Sequence, residues 1–342
     1  MQKLFIFISI STILSFILTP FIKRLAIYTK VISIPKVERN IHKKPIPLLG
    51  GLGIYISFIL VLILKPGMLS YSEKGILIGA TFIIIGGLID DAMEIKPWQK
   101  LFFQLAAAST LIFYGVTITI LTNPFSAGVS YVNIKLLYIP FTLIWIIGVT
   151  NAFNLIDGLD GLAAGIALIS CVTIFIIAIM NNRMEAAIFT AILSGAILGF
   201  LPYNFNPASI FLGDTGSQLL GFLLAAISIK GAVKSAAAFA IAVPILALGL
   251  PIYDTIFAMI RRKLNGKPMM QGDRGHLHHR LMDMGLNQRQ AVIIMYLISV
   301  VLGAIAIIAM QCTSSQAYFL LAIVLIVIIS LAWKFGVFKQ KE

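Results

Sequence analysis

The sequence predicts an all-α, polytopic integral membrane protein, one domain over residues 1–342 with about 11 transmembrane helices. Three observations carry that reading. The 342 residues are 59% hydrophobic and only 11% charged, where a soluble domain carries about 25% charged residues. The mean hydropathy is +1.00. The apolar residues also gather in runs of the length that crosses a bilayer as helix, roughly 20 residues.

The first run, "MQKLFIFISISTILSFILTPFIKR", has the basic start of a secretory leader. It is long, lacks an A-x-A-like cleavage site and ends in Pro20 and basic residues, so it reads as a retained span over 4–22. Further runs fall at 48–64, 75–89, 101–121, 134–151, 161–181, 185–201, 217–230, 235–257, 290–310 and 316–334. An odd number of spans puts the termini on opposite faces. With the N-terminus outside and the C-terminus cytoplasmic, the loops 23–47, 90–100, 152–160, 202–216 and 258–289 face the cytoplasm. Those loops and the tail carry 19 of the 26 Lys and Arg residues, as the positive-inside rule requires. The net charge of +13 therefore reflects topology and anionic headgroups, not nucleic acid. Cys171 and Cys312 stand in or beside apolar runs without CxxC spacing, which suggests neither a disulfide framework nor a metal site. No soluble domain and no internal repeat is evident.

Acidic residues contribute little to topology, yet 11 of the 13 fall on the cytoplasmic face and only Glu73 and Glu185 outside. That excess implies a cation or a catalytic site at the membrane boundary. Five polar clusters specify it. In "GGLIDDAMEIKPWQK" the adjacent carboxylates of Asp90 and Asp91 repel each other, and a nearby Mg²⁺ or a proton relieves this; a solvated helix end is the plainer alternative. In "GVTNAFNLIDGLDGLAAG" Asn151, Asn154 and Asp157 recur at i, i+3 and i+6, so on a helix they share a face, and Asp160 continues the spacing. Inter-helix hydrogen bonding explains one such Asn, not two Asn and two Asp in ten residues. DGLDG lacks the rest of an EF-hand loop.

In "YNFNPASIFLGDTGSQLLGF" Asp214 stands where a loop enters a helix, and the amides around Thr215, Gly216 and Ser217 could bind an anion. DTGS is also the tetrad of pepsin-like proteases, but those are soluble β proteins. In "RRKLNGKPMMQGDRGHLHHRLMDMG" His276, His278 and His279, beside Arg274 and Arg280, read as a cationic pocket for phosphates; zinc prefers tidier spacing. A basic juxtamembrane loop is the alternative. The fifth cluster, "NIHKKPIPLLGG", sets Lys43 and Lys44 before a Pro-rich turn and reads first as a positive-inside anchor. All five fall on one face. Carboxylates for a divalent cation and His, Arg and Lys for phosphates then point to phosphoryl transfer at the membrane surface.

The ordered set of PIPLLGG, DD, NAFNLIDGLDGLAAG, FLGDTGS and GHLHHRL resembles the polyprenyl-phosphate N-acetylhexosamine-1-phosphate transferases over nearly the whole chain. The HLHHRL form is similar to the bacterial undecaprenyl-phosphate GlcNAc-1-phosphate branch, and the peptidoglycan branch, which uses UDP-MurNAc-pentapeptide, is the near alternative. The resemblance implies transfer of a sugar phosphate from a UDP-N-acetylhexosamine to undecaprenyl phosphate with release of UMP, at the inner membrane, as the first membrane step of a cell-envelope glycan pathway. It implies Mg²⁺, with Mn²⁺ substituting, and admits a homodimer. By the same resemblance Asp214 is the principal metal ligand, with Asn154 and Asp91 beside it, while Asp90 and Asp91 serve the metal or the lipid-phosphate nucleophile. Asp157 and Asp160 take required positions near nucleotide and sugar, with Asn151 in the floor. Asn204 and Phe211 lie near the uracil. His276, His278, His279 and Arg280 clamp pyrophosphate and sugar, His278 and His279 among the catalytic residues, with Lys43 or Lys44 nearby. Two other classes fit less well. An intramembrane aspartyl protease would pair Asp254 of "PIYDT" with Asp214, but in reversed order and without GxGD. A transporter would set its ionisable residues near the midplane, often in repeats.

Overall fold

The computed structural model describes residues 1–35, 44–122, 131–232, 242–266, 275–312 and 314–334. Among them lie thirteen α-helices: α1 (Gln2–Tyr28), α2 (Gly50–Leu64), α3 (Tyr71–Met93), α4 (Pro97–Phe113), α5 (Tyr138–Ile156), α6 (Leu162–Met180), α7 (Met184–Asn204), α8 (Gly213–Ala232), α9 (Ala242–Ala247), α10 (Gly249–Leu264), α11 (Leu277–Asp283), α12 (Gln288–Gln311) and α13 (Ser314–Lys334). Two antiparallel ribbons, β1 (Ile32–Ser33) with β2 (Ile46–Pro47) and β3 (Ile120–Thr122) with β4 (Tyr131–Asn133), and a 3₁₀ turn at Lys135–Leu137 accompany them. The protein is an all-α integral membrane protein: seven helices, α1, α3, α5, α6, α7, α12 and residues Gln316–Lys334 of α13, are long and apolar enough to cross a bilayer among the described residues.

Each expected apolar run contains helix, but three boundaries differ. The run 101–121 is helical only to Phe113, and its end instead pairs as β3 with β4. The run 235–257 is not one rod: α9 and α10 meet at a break at Leu248, three residues after which Pro251 lacks the amide that a continuous helix would use. Helix α10 then continues to Leu264, inside the stretch expected to be loop.

Helix α8 is the central element. Leu219, Leu220, Phe222, Leu223 and Leu224 are fully buried, and α2, α3, α5, α6 and α7 all pack around it. Between helices in lipid the hydrophobic effect gives little drive, so close packing and hydrogen bonds hold them. Small residues provide that fit at the start of α8. A side chain at Gly51 would strike the backbone of Gly216, and one at Gly87 the backbone of Thr215. The first turn of α8 is thereby wedged between α2 and α3. On the outside, Phe5, Phe16 and Phe21 of α1 and Ile326 and Trp333 of α13 are exposed, as lipid-facing side chains are.

The two acidic residues expected on the far face serve structure. Glu73 closes the capping box of α3 with Ser70 and pairs with Lys65 at 3.1 Å. Glu185 pairs with Lys230 at 2.8 Å and accepts from Ser72 at 2.5 Å. Both stand at the opposite end of α3 from Asp90 and Asp91.

Candidate active site

The end of the bundle opposite Glu73 holds a cavity of about 880 Å³. Its walls come from the C-terminal ends of α3 (Asp90, Asp91), α5 (Asn154, Asp157) and α7 (Asn204), and from the starts of α4 (Lys100), α8 (Asp214) and α12 (Gln288). Asp160, Phe211 and His279 also line it, as do Ser33 and Glu94. Polar groups gather here because helix ends leave backbone amides and carbonyls unsatisfied, so a bundle end is where water and charge are tolerated.

At its centre one ammonium joins two carboxylates. Lys100 Nζ donates to Asp214 Oδ2 at 2.5 Å and is in contact with Asp90 Oδ2. Asp90, itself buried, also accepts the Ile95 amide at 3.0 Å. Asp214 Oδ1 accepts from Asn154 Nδ2 at 3.1 Å, and the same amide donates to Ser217 Oγ at 3.0 Å. In the sequence Lys100 reads only as one of the positive-inside residues. A signal was present: a cation in the first turn of a helix opposes the helix dipole, so something negative had to hold it there.

Asp91 is put to another use. Its Oδ1 accepts the Asp214 amide at 2.7 Å, and its Oδ2 accepts the Thr215 amide at 3.1 Å and the Thr215 hydroxyl at 2.5 Å. The anion at the start of α8 is thus the protein's own carboxylate, which caps the helix from α3. That corrects one expectation: the amide of Thr215 is already paired with a carboxylate and does not await an external anion. Asp91, expected beside the metal, lines the cavity while both its oxygens accept hydrogen bonds from the start of α8.

The row from Asn151 to Asp160 is split by the end of α5 at Ile156. Asn151 turns beneath the cavity, exchanging hydrogen bonds with Gln104 at 2.9 and 3.2 Å, while Gln104 donates to Gln218 at 3.0 Å. It supports the floor and does not line the cavity. Asp157 lines it, and burial, then the negative charges of Asp214, Asp91 and Asp160, push its carboxyl up to about 8. Asp160 lies in the turn beyond the helix, where its Oδ2 accepts from Asn206 Nδ2 and the Ala208 amide, both at 3.0 Å. Asn204 lines the wall with its Nδ2 tied to the Ile210 carbonyl at 3.0 Å.

Of the loop's three histidines, all of them among the described residues, His279 alone lines the cavity. His276 is buried against Asp254, Nδ1 to Oδ2 at 2.7 Å. His278 is buried, and desolvation, followed by the charge of His279, pushes it down to about 3, so it is neutral at pH 7. Arg280 is buried with its Nε donating to the Gly275 carbonyl at 3.1 Å. The expected cationic clamp of four residues is therefore one ring at the wall and three residues packed behind it. Lys43 lies outside the described residues. Lys44 lines a neighbouring cavity of about 630 Å³ that shares Asp160 and Gln288 with the first.

A bundle of lipid-facing helices with an acidic, cation-bearing cavity at one end defines a polytopic membrane protein with a polar site at its rim. The chain belongs to glycosyl transferase family 4, whose pattern matches residues 74–232. It is 37% identical over 335 residues to the probable undecaprenyl-phosphate N-acetylglucosaminyl 1-phosphate transferase of Bacillus subtilis, covering 98% of this chain and 92% of that one. It is 33% identical to the decaprenyl-phosphate N-acetylglucosaminephosphotransferase of Mycolicibacterium smegmatis over 84% of this chain and 77% of that one. The phospho-N-acetylmuramoyl-pentapeptide-transferase of Staphylococcus saprophyticus is 32% identical over 87% of this chain and 95% of its own.

Proposed function

We propose that the protein transfers GlcNAc-1-phosphate from UDP-GlcNAc to undecaprenyl phosphate, giving undecaprenyl-pyrophosphate-GlcNAc and UMP. The observation that carries this is the convergence of Asp90 and Asp214, from two separate helices, on one cation position in the polar cavity. The B. subtilis relative's name and its extent of match support the donor and acceptor.

The donor set fits Mg²⁺, and Mn²⁺ by the same chemistry. Two hard carboxylate oxygens face one point, where Lys100 now supplies the positive charge. Among the described residues no three His, Cys, Asp or Glu side chains enclose a metal, so water and substrate phosphates would complete the shell, as is usual for Mg²⁺. Asp214 and Asp90 would hold the ion, with Asn154 beside them. When bound, it supplies positive charge for the pyrophosphate of the donor.

The chain's own residues do the rest. An acceptor phosphate oxygen attacks the β-phosphorus of the donor, the bond from that phosphorus to the bridging oxygen breaks, and UMP leaves with that oxygen. A phosphate monoester has its second pKa near 6, roughly a unit below neutral pH, so no strong base is required. The larger task is to bring two anions together, which positioned cations and hydrogen-bond donors accomplish. Lys100 offers an ammonium to the phosphates. Asp157, protonated at neutral pH by its surroundings, adds a donor instead of a further negative charge. His279 faces the pyrophosphate, and Phe211 and Asn204 form the uracil wall.

The same reading includes the topology: eleven spans with α9 and α10 as one broken span, N-terminus outside, and the cavity at the cytoplasmic side of the inner membrane. The test is UMP release by detergent-purified protein with undecaprenyl phosphate and Mg²⁺, comparing UDP-GlcNAc, UDP-GalNAc and UDP-MurNAc-pentapeptide. Release with UDP-GlcNAc alone, abolished by EDTA, is the expected result. Release with another donor would overturn the substrate assignment, and release that survives EDTA would overturn the metal.

A further inference from the structure

We propose that Asp254, a buried carboxylate of α10 that does not line the cavity, is the positioning residue that holds His279 in the cavity wall, acting through His276 and the first turn of α11. The proposal deepens the transferase reading and rests on it.

Helix α11 has seven residues, too few to be stable alone, since isolated helices below about 12–15 residues are marginal in water. Its N-cap residue, His276, supplies no side-chain cap of its own. Asp254 supplies it from another helix. Asp254 Oδ1 accepts the amide of Leu277, the first residue of α11, at 2.9 Å, and Oδ2 pairs with His276 Nδ1 at 2.7 Å. Both oxygens of this carboxylate thus serve α11. Asp254 is 8% and His276 5% exposed, so these bonds are shielded from water, where charge-assisted bonds are strongest. A carboxylate at this position also complements the positive end of the helix.

From there a row of rings carries the constraint across. The imidazoles of His276 and His278 lie parallel, with centroids 5.8 Å apart and an angle of 7°. His278 and His279 follow at 4.2 Å and 46°. On its other side His278 lies against Gly158, where any side chain would strike its Nε2. The row is therefore wedged between the carboxylate of α10 and the turn that carries Asp157 and Asp160. His279 is the member of that row that emerges into the cavity. With Asp254 fixing both the N-terminal amide of α11 and the first ring, the helix cannot rotate or slide to withdraw His279. An aspartate in the apolar run "LGLPIYDTIF" has no other hydrogen-bonding use among the described residues.

The test is a double-mutant cycle on UMP release, using wild type, Asp254→Asn, His279→Ala and the double variant in detergent, with kcat and KM for UDP-GlcNAc and a thermal melt for each. Asp254→Asn keeps the shape and removes the charge. It is expected to lower kcat about tenfold or more, because small misplacements of a site group are costly, while KM changes less than about threefold. In the His279→Ala background the same change should alter kcat by less than about twofold, the mark of a residue acting through its partner. Equal factors in both backgrounds, or an unchanged kcat in Asp254→Asn, would overturn the proposal. Should Asp254→Asn fail to fold, His276→Gln replaces it with the same expected pattern. Wild type that is inactive with every donor would instead remove the transferase reading, and with it the reaction that His279 serves.

Discussion

Lys100 decides how the cavity's charges balance. It stands between Asp90 and Asp214, and without it two carboxylates face each other across a few ångströms. Lys100→Gln is therefore expected to melt earlier than wild type in EDTA and to regain most of the difference when Mg²⁺ is added, which thermal scans in detergent would show. Asp214→Ala, which removes the carboxylate that Lys100 addresses at Oδ2 and Asn154 at Oδ1, should lower UMP release by about 10²–10³-fold, the usual effect of losing a key electrostatic group. Asp157 gives a pH signature. Its carboxyl sits at about 8 in the fold against 3.8 for an ordinary aspartate, so between those values the folded chain keeps a proton that the unfolded chain has released. Its contribution to stability is thus lost progressively as pH rises from about 4 to about 8 and is flat beyond. Asp157→Asn in EDTA should melt like wild type near pH 4 and increasingly above it toward pH 8. A difference that stays constant with pH would contradict the assignment.

Helix α8 shows how elements cooperate to build the site. Its first turn carries Asp214, is capped by Asp91 of α3, and is wedged by Gly51 and Gly87. Losing a cap costs about 0.5–2 kcal/mol, so Asp91→Ala should lower stability by that order, and Asp91→Asn, which keeps one acceptor oxygen, by less. Gly87→Val forces a side chain into the Thr215 backbone, an overpacking that costs typically about 1–3 kcal/mol. It should reduce turnover more than Gly148→Ala, a change on α5 that meets nothing nearby. Equal turnover in the two variants would mean that the position of the α8 turn is not set by this contact. The carboxylates were legible as an element-level pattern, because Asp and Asn inside apolar runs are costly and call for a reason. The cap was not, because Asp91 and Thr215 are remote in sequence and only helix packing joins them.

At the scale of the whole molecule the proposed topology is open to direct measurement. In a cysteine-free background, Gly67→Cys lies in the turn between α2 and α3 and Asn265→Cys just beyond α10. A membrane-impermeant thiol reagent applied to intact cells should label the first and spare the second; the reverse would invert the orientation. Composition and run length by themselves determined that this is a bundle of membrane helices, and the spacing of polar clusters determined that one end of it carries chemistry. Asp90, Asp157, Asp160, Asp214 and Asn154 were found that way, and the structure brings all five to one cavity. Packing alone decided that Lys100 joins them, that Asn151 supports from below, and that His276, His278 and Arg280 turn inward while His279 faces the cavity. The physical reason is that residue type sets what a side chain can do, whereas its direction depends on which neighbours fill the space around it. Those neighbours come from helices that the chain visits a hundred residues earlier or later.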